Sequence, residues 1–554
     1  PVRERLPEEI LGVAAEGLAS TGHDELSLLA LSVGDYGNIQ GLLQTLMHHH
    51  RNGQIAISLP SLRVGTLDET MIEAIKQVRK TGFTLAPEAG SERLRRVINK
   101  GITESDLLEG VRTVYSAGWS LIKLYFMMGL PTETSQDRWA LVDLALKVWQ
   151  EAARQKPRRR LHVSVSTFVP KPHTPFQWEA QLSLEKIQQN LTFFKQHLRK
   201  KGLHFKWHTP WQSVLEGVFS RGDRRLAEVV LRAQELGCRF DGWSDHLRVD
   251  LWERSFAAAG IDPLTYGARS RDFHEVLPWS HLDCGVNPDY LWQEYEHALS
   301  EDFTPDCRTG NCNDCGVCDH KTVRMTLHSY EVLDQGNRVN PQGNNDHAYS
   351  YRLVFSKSGR GRFLSHLEMV TALLRAMRRA QLPLAYSEGH HPSPKVSFED
   401  ALPLGLESQA EELKLILHEP LLALEIGQRL NNELPLGLEI LEVSEDDKDS
   451  GQTTPRVVTY QATLKRGVWP PEGFRRFQTQ SLAPLRQKSK RGETLIHLTE
   501  RLLSLETLDS RTIRFSFTQG QKGNIRVRDL LMHIFDLSKE EILDARIVKI
   551  SVEG

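Results

Sequence analysis

The stretch FTLAPEAGSERLRRVINKG, residues 83–101, runs from a short apolar segment through a glycine-bearing loop into a helical pattern. A second stretch of the same kind, LIKLYFMMGLPTET at 121–134, leads into a helical pattern at 135–152. Strands that are apolar along their whole length are typical of parallel sheets covered on both faces. Repeated strand–loop–helix units therefore predict an α/β fold in which right-handed crossovers join parallel strands.

The same alternation extends over the first 205 residues. Thr103 to Asp106 predicts a capping box, and Thr134 predicts a helix N-cap. Because the series opens on a helix and the chain starts at Pro1, we expect a first strand to be missing. The pattern predicts a barrel or an open sheet with further strands at 25–32, 54–60 and 161–169 and helices at 7–19, 37–50, 69–80, 104–117 and 184–200.

Three further regions follow this first domain. Residues 206–328 predict a helical extension that ends in a cysteine-rich segment, and 329–349 are polar and read as a linker. In 350–554 the elements between 351 and 443 predict the order β-α-β-β-α-β, and a weaker second copy follows. The C-terminal region is therefore predicted to be an α+β domain of two ferredoxin-like halves.

Composition narrows the class of protein. Of 554 residues, 25% are charged and 40% hydrophobic, and the formal net charge is -2, which argues against a polyanion-binding surface over the whole molecule but allows a local basic patch. The chain has no apolar run long enough to span a membrane, and its first residues are too charged for a signal peptide. We expect a cytoplasmic protein.

Four of the six cysteines form the pattern C-x4-C-x2-C-x2-C at Cys307, Cys312, Cys315 and Cys318. Such clustering is typical of a reduced, metal-binding protein rather than of a disulfide framework. Successive two-residue gaps favour an iron–sulfur cluster, with structural zinc as the close alternative and a disulfide pair as a distant third. His320 is a spare ligand nearby, although a lone histidine after a cysteine run is more often a bystander.

Polar, glycine-bearing loops follow five predicted strands, at the edge where βα folds bind ligands. EAGSERLRRVINKG followed by LYFMMGLPTET closely resembles the barrel of radical S-adenosylmethionine (radical SAM) proteins, with the methylthiotransferase and Elongator catalytic-subunit group as the nearest relatives. SVGDY, SLPSLRV, FVPKPHTPFQW and FSKSGRGRFLSHLEM sharpen the resemblance to one bacterial family. In that family a radical SAM barrel precedes a cysteine-bearing segment and a "radical SAM-linked" C-terminal domain of unknown function.

The resemblance implies a partial TIM-like (β/α) radical SAM barrel, S-adenosylmethionine and a [4Fe–4S] cluster held by a C-x3-C-x2-C motif. That motif is absent from this sequence and belongs just upstream of the segment matching PVRER. We therefore expect the polypeptide, as a fragment, to be inactive in cleaving S-adenosylmethionine, and the four-cysteine segment to hold a second cluster or zinc. The resemblance also implies an electron donor such as flavodoxin or ferredoxin.

Roles for individual residues follow from the same resemblance. The methionyl amino group is expected at the motif of Ser32, Gly34 and Asp35, where Asp replaces the more usual Glu. Arg63 is a candidate for the methionyl carboxylate or another anionic group. The ribose is expected near Glu88 and Ser91, and the adenine near Phe126, Met128 and Gly129, with filling of the barrel core as the alternative for the apolar members.

The C-terminal domain carries basic residues among glycines, Lys357, Arg360 and Arg362, which suit contacts to phosphates. This pattern predicts nucleic-acid binding, with protein docking as the alternative. Together the sequence predicts a radical SAM enzyme whose unknown substrate is RNA or a ribosome-associated macromolecule. The alternative is a non-catalytic RNA- or ribosome-binding scaffold with a degenerate barrel.

Overall fold

The computed structural model describes residues 2–30, 33–37, 39–50, 55–58, 82–308, 310–328, 348–387, 392–446, 456–489, 492–519 and 525–553. Almost all of the predicted linker, 329–347, lies outside these residues, as does the predicted helix at 69–80. The chain divides into two compact units. The first unit comprises Pro1–Val13 and Glu25–Gly336, and the second comprises Ala14–Asp24 and Asn337–Gly554.

Parallel strands form the centre of the first unit. Strands β1 (Glu25–Ser27) and β2 (Ala56–Ser58) pair with each other. A separate sheet holds β3 (Phe83–Glu88), β4 (Leu121–Met128), β5 (Arg160–Thr167) and β6 (Leu203–Trp207) side by side in that order. The expected α/β class is confirmed. Closure into a partial barrel stays a prediction, because the described strands form two separate sheets.

Helices follow the strands of the first unit. The predicted capping box is present at Thr103 before α4, and the predicted N-cap Thr134 is confirmed before α5, where it also forms a capping box. Strand β6 crosses the domain boundary predicted at residue 205, so the parallel sheet extends further along the chain than the sequence suggested. The helices up to residue 300 are α1 (Pro7–Thr21), α2 (Ile39–His50), α3 (Glu92–Val97), α4 (Glu104–Ser116), α5 (Ser135–Arg154), α6 (Leu184–His197), α7 (Pro210–Arg221), α8 (Leu226–Glu235), α9 (Val249–Ala258), α10 (Leu264–Gly267) and α11 (Pro288–Ser300).

The two faces of the four-stranded sheet differ. One face is core, where Leu85, Leu124 and Val163 are fully buried. On the other face Lys123, His162 and His204 lie in register across β4, β5 and β6 and are at least partly exposed. The expectation that these strands are apolar and covered on both faces is therefore wrong for β3 to β5, whose residues alternate between buried and half-exposed.

The second unit is a mostly antiparallel sheet with helices. The order β10-β7-β9-β16-β11-β15-β14, with β8 beside β9, repeats one arrangement twice, 10-7-9-8 and 16-11-15-14, and a parallel pairing of β9 with β16 joins the halves. The ferredoxin-like character of each half stays a prediction.

The strands are β7 (Tyr349–Lys357), β8 (Val396–Phe398), β9 (Glu407–Leu417), β10 (Leu438–Glu445), β11 (Arg456–Thr463), β12 (Leu485–Ser489), β13 (Gly492–Ile496), β14 (Leu502–Thr507), β15 (Thr512–Gln519) and β16 (Arg546–Glu553). The helices are α12 (His366–Arg379), α13 (Ala423–Glu433), α14 (Pro471–Gln478), α15 (Val527–Phe535) and α16 (Lys539–Asp544).

No helix among the described residues is both long enough and apolar enough to cross a bilayer.

Candidate active site at the strand ends

The loop after β1 carries Gly34 and Asp35 in a short 3-10 turn, Val33–Asp35. Arg308, from the cysteine-rich segment, reaches this turn: its guanidinium lies 3.4 Å from Asp35 Oδ2 and donates to the Asp35 carbonyl at 3.1 Å. The structure thus brings the cysteine-rich segment next to the residue expected to receive a methionyl amino group. Ser32 and Arg63 lie outside the described residues.

Glu88 ends β3 in a left-handed backbone conformation, with φ of 65°. A non-glycine residue seldom adopts this region, and such strain is common at ligand sites. Burial raises the pKa of Glu88. The ammonium of Lys100, 3.6 Å from Oε1, partly offsets this effect. The Glu88 carboxylate therefore lies at the end of a strand, pairs with Lys100 and remains partly exposed.

Ser91 lies in the same loop and begins helix α3. Its hydroxyl accepts a hydrogen bond from Leu94 N at 3.1 Å and donates to Asp137 Oδ1 at 2.5 Å. Gly90 beside it has no space for a side chain, since a Cβ there would lie 2.1 Å from the Leu141 backbone nitrogen. The Ser91 side chain therefore holds the loop to helix α5, a structural use that the sequence did not show.

The loop after β4 begins at Gly129, whose φ is 79°. Its N–H donates to Glu133 Oε2 at 2.7 Å, and a Cβ at this position would lie 2.5 Å from the side chain of Leu182. Phe126 and Met128 are each 1% exposed and face the core. Their side chains are core residues, the alternative considered from the sequence, so a ligand at this strand end would meet Phe126 only through its backbone.

Asp137 joins the two loops, although only Thr134 was predicted from the sequence to cap this helix. It accepts hydrogen bonds from Ser91, from Arg93 at 2.6 Å and from Thr134 at 2.7 Å. Burial alone would raise the pKa of this carboxyl group, but the bonds from Arg93, Ser91 and Thr134 outweigh burial and lower the pKa to about 2. A charged carboxylate thus fixes the loop after β3 against the loop after β4.

The four cysteines of the predicted metal site lie in one loop and are free thiols. Burial raises the pKa of Cys307, and the charges of Asp306 and of the Cys315 and Cys312 thiols add to this, so these thiols share one neighbourhood. Cys312 Sγ lies 3.5 Å from His320 Nε2. In the described part of the chain, however, no three such ligands converge on a metal position. The donor chemistry fits a metal, and the loop would have to close around it.

The basic residues of the second unit differ in environment. Arg360 is exposed, and Arg362 pairs with the buried carboxylate of Glu407 at 3.5 Å. Lys357 is 0% exposed and donates to the Leu364 carbonyl at 2.8 Å, and burial lowers its pKa. The prediction that Lys357 contacts phosphates is therefore wrong in this structure, because its ammonium points into the protein.

Comparison with known proteins matches the N-terminal and C-terminal parts of the chain to two different families. Residues 1–145 match the radical SAM superfamily, and residues 350–527 match a family described as an uncharacterized protein conserved in bacteria, DUF2344. An uncharacterized protein of Methanocaldococcus jannaschii is 34% identical over 231 residues, which make up 42% of this chain and 48% of that protein. A tRNA-2-methylthio-N(6)-dimethylallyladenosine synthase of Desulforamulus reducens is 26% identical over 165 residues, 27% of this chain and 35% of that enzyme. The chain thus spans less than half the length of either relative. It combines a radical SAM domain with a C-terminal DUF2344 domain, the radical SAM-linked domain.

Proposed function

We propose that this protein is a radical SAM enzyme that holds S-adenosylmethionine across the strand ends of its first unit and acts on RNA. The supporting observation is the Asp137 network, which fixes the loops after β3 and β4 side by side. A ligand that bridges adjacent strand ends needs such fixed loops, since misplacement by about an ångström weakens binding and catalysis.

Each strand end has a defined task in this proposal. Asp35 accepts the amino group of S-adenosylmethionine, in place of the guanidinium of Arg308 that contacts it here. Glu88 hydrogen-bonds the ribose, and the backbone around Gly129 lies against the adenine. Gly129 itself has no room for a side chain, since a Cβ there would lie 2.5 Å from Leu182. When bound, a [4Fe–4S] cluster supplies the electron that cleaves a carbon–sulfur bond of S-adenosylmethionine.

RNA as the substrate is a proposal of the same kind. It draws on the similarity to the tRNA-2-methylthio-N(6)-dimethylallyladenosine synthase of Desulforamulus reducens and on basic side chains along helix α6 and strand β6 that have no carboxylate partner among the described residues. An electron donor such as flavodoxin or ferredoxin would serve the reductive step. The cysteine-rich segment, which touches Asp35 through Arg308, would hold an accessory metal near the bound cofactor.

The test is equilibrium binding of S-adenosylmethionine to the full chain. The sequence contains no C-x3-C-x2-C, so we expect binding without cleavage. Glu88→Gln and Asp35→Asn should each weaken binding about tenfold or more, because each replaces a charged carboxylate acceptor by a neutral amide. Glu185→Gln, an exposed change on helix α6, is the matched control.

Two results would contradict the proposal. Wild-type affinity in both strand-end variants would show that the ligand does not lie at these loops. No measurable binding of S-adenosylmethionine by a folded chain that still binds RNA would favour the non-catalytic scaffold.

A further inference from the structure

A groove with basic walls runs between the end of helix α6 and strand β6, the outermost strand of the four-stranded sheet. It encloses ≈ 720 Å³. The basic side chains that line it are Lys195, Arg199, Lys200, Lys201, His204 and Lys206. We call this feature the basic groove. No aspartate or glutamate occurs between residues 195 and 208 to offset these charges.

The charges of the basic groove are not neutralised by ion pairs. Within the described residues, none of its four lysines and neither Arg199 nor His204 forms a salt bridge with a carboxylate. Elsewhere in the same unit exposed cations are commonly paired, as Lys147 is with Glu104 and Lys171 with Glu216. Since the chain as a whole carries a formal net charge of -2, the basic groove is a local positive field on a nearly neutral protein.

More basic groups adjoin the groove. Arg158 donates to the Lys201 carbonyl at 2.6 Å, which places the loop before β5 beside the loop before β6. On the open face of the sheet the rings of His162 and His204 lie 5.0 Å apart. Burial lowers the pKa of His162, and Lys206, His204, Arg160 and Lys123 lower it further, so these cations act on one small region.

Aromatic side chains lie among these cations. Trp207 is 43% exposed, stacks on Phe205 with the ring centroids 5.4 Å apart, and has the Lys195 ammonium 3.9 Å from its ring centroid. A groove that combines cations along a backbone track with an exposed aromatic ring is how proteins hold single-stranded nucleic acid. A basic patch lacking such a ring would favour an acidic protein equally well.

We propose that the basic groove binds single-stranded RNA, with Lys200, Lys201 and Lys206 on phosphates and Trp207 against a base. This deepens the proposed function and rests on it for RNA as the substrate, whereas RNA binding itself is measured separately. The position of β6 at the edge of the sheet supports the proposal, because no further described strand pairs with β6 to block an extended RNA strand in the groove.

The experiment measures the fluorescence anisotropy of a labelled oligouridine of about 20 nucleotides with the full chain, over a range of salt concentrations. The triple variant Lys200→Gln, Lys201→Gln and Lys206→Gln should lower the salt slope by about two, since each phosphate contact to a single strand contributes about 0.7. Affinity should then fall by about 100-fold near 0.1 M salt. Trp207→Ala should weaken binding by about tenfold without changing the slope, and Trp207→Phe should restore most of it.

The controls separate charge, fold and site. A matched triple variant at exposed lysines elsewhere, Lys186, Lys465 and Lys539 changed to Gln, should keep both affinity and slope. Changing Lys200, Lys201 and Lys206 to Arg should preserve the affinity for RNA. All variants should have the melting temperature of the wild type. Because Lys200, Lys201 and Lys206 lie outside the loops after β1, β3 and β4 that are proposed to hold S-adenosylmethionine, binding of that ligand should stay unchanged. Loss of RNA binding alone is therefore distinguishable from failure of the proposed cofactor site.

Three outcomes would overturn the proposal. The first is RNA binding that survives the Lys-to-Gln triple variant with its salt slope intact. The second is RNA binding abolished by Arg360→Gln and Arg362→Gln instead, which would move the site to the second unit. The third is competition by polyglutamate as effective, charge for charge, as competition by RNA, which would identify an acidic protein as the partner class.

Discussion

Asp137 is the group whose loss should be most visible in the first unit. It is 5% exposed and accepts hydrogen bonds from three residues in two loops and a helix start. Asp137→Asn keeps the size of the side chain. It removes the negative charge and turns one acceptor atom into a donor that faces other donors. We expect this single change to loosen the loops after β3 and β4 together.

The magnitude follows from the pKa of Asp137. Its network lowers the pKa from the ordinary value of 3.8 to about 2. One pKa unit corresponds to about 1.4 kcal/mol, so the folded state favours the charged carboxylate by about 2.5 kcal/mol. Asp137→Asn should therefore lower the free energy of unfolding by about 2.5 kcal/mol at neutral pH. Because the folded pKa lies below the unfolded pKa, this stability is fully present above 3.8 and is lost as the pH falls through about 2.

Urea unfolding monitored by tryptophan fluorescence measures the effect. Of the eleven tryptophans only Trp469 belongs to the second unit, so the signal reports mainly on the first. Asp143→Asn, at an exposed position of the same helix α5, is the matched control. The reasoning fails if Asp137→Asn and Asp143→Asn differ by less than about 0.5 kcal/mol at neutral pH, a range typical of surface substitutions. It also fails if the difference does not shrink toward pH 2.

Two further predictions concern the cysteine-rich segment and the second unit. Protein purified without oxygen should contain iron and show broad visible absorption, both lost in Cys312→Ser and Cys315→Ser; stoichiometric zinc without iron would instead establish the structural-zinc alternative. Lys357→Met should lower the melting temperature, because the Leu364 carbonyl loses its donor, and should leave RNA affinity unchanged. Weakened RNA binding in a variant that melts like the wild type would show that Lys357 reaches a phosphate after all.

The elements of the fold were largely readable from the sequence, because each depends on neighbouring residues. Strand β4 coincides with the apolar residues LIKLYFMM that open the stretch quoted at 121–134, and the caps at Thr103 and Thr134 need only residues three positions apart. Strand β6 escaped prediction because its five residues include a lysine and a histidine, and its role depends on pairing with β5. Burial on both faces was wrongly inferred for β5, where Ser164 and Ser166 already break the apolar run.

The candidate site was readable only in part, since its decisive contacts join distant residues. Ser91 bonds Asp137, 46 positions away, and Arg308 reaches Asp35 across 273 positions. A motif in the sequence marks Ser91 and Asp35 as polar groups near strand ends, but it cannot show which partner occupies their hydrogen bonds. That information arises only when the chain folds and brings helix α5 and the cysteine-rich segment to those loops.

The density of basic residues along a sequence is a poor guide to an anion site, because the field depends on what lies opposite each charge. Lys357, Arg360 and Arg362 lie within six positions of one another in the sequence. In the structure, however, Lys357 is buried, Arg360 is exposed and Arg362 is paired with Glu407. Arg158, by contrast, adjoins a groove whose basic side chains have no carboxylate partner among the described residues. An unpaired surface charge keeps its full attraction for a phosphate, whereas a paired one must first give up its carboxylate. The absence of opposing carboxylates, more than the number of lysines, is therefore what favours the basic groove over the C-terminal cluster as the RNA site.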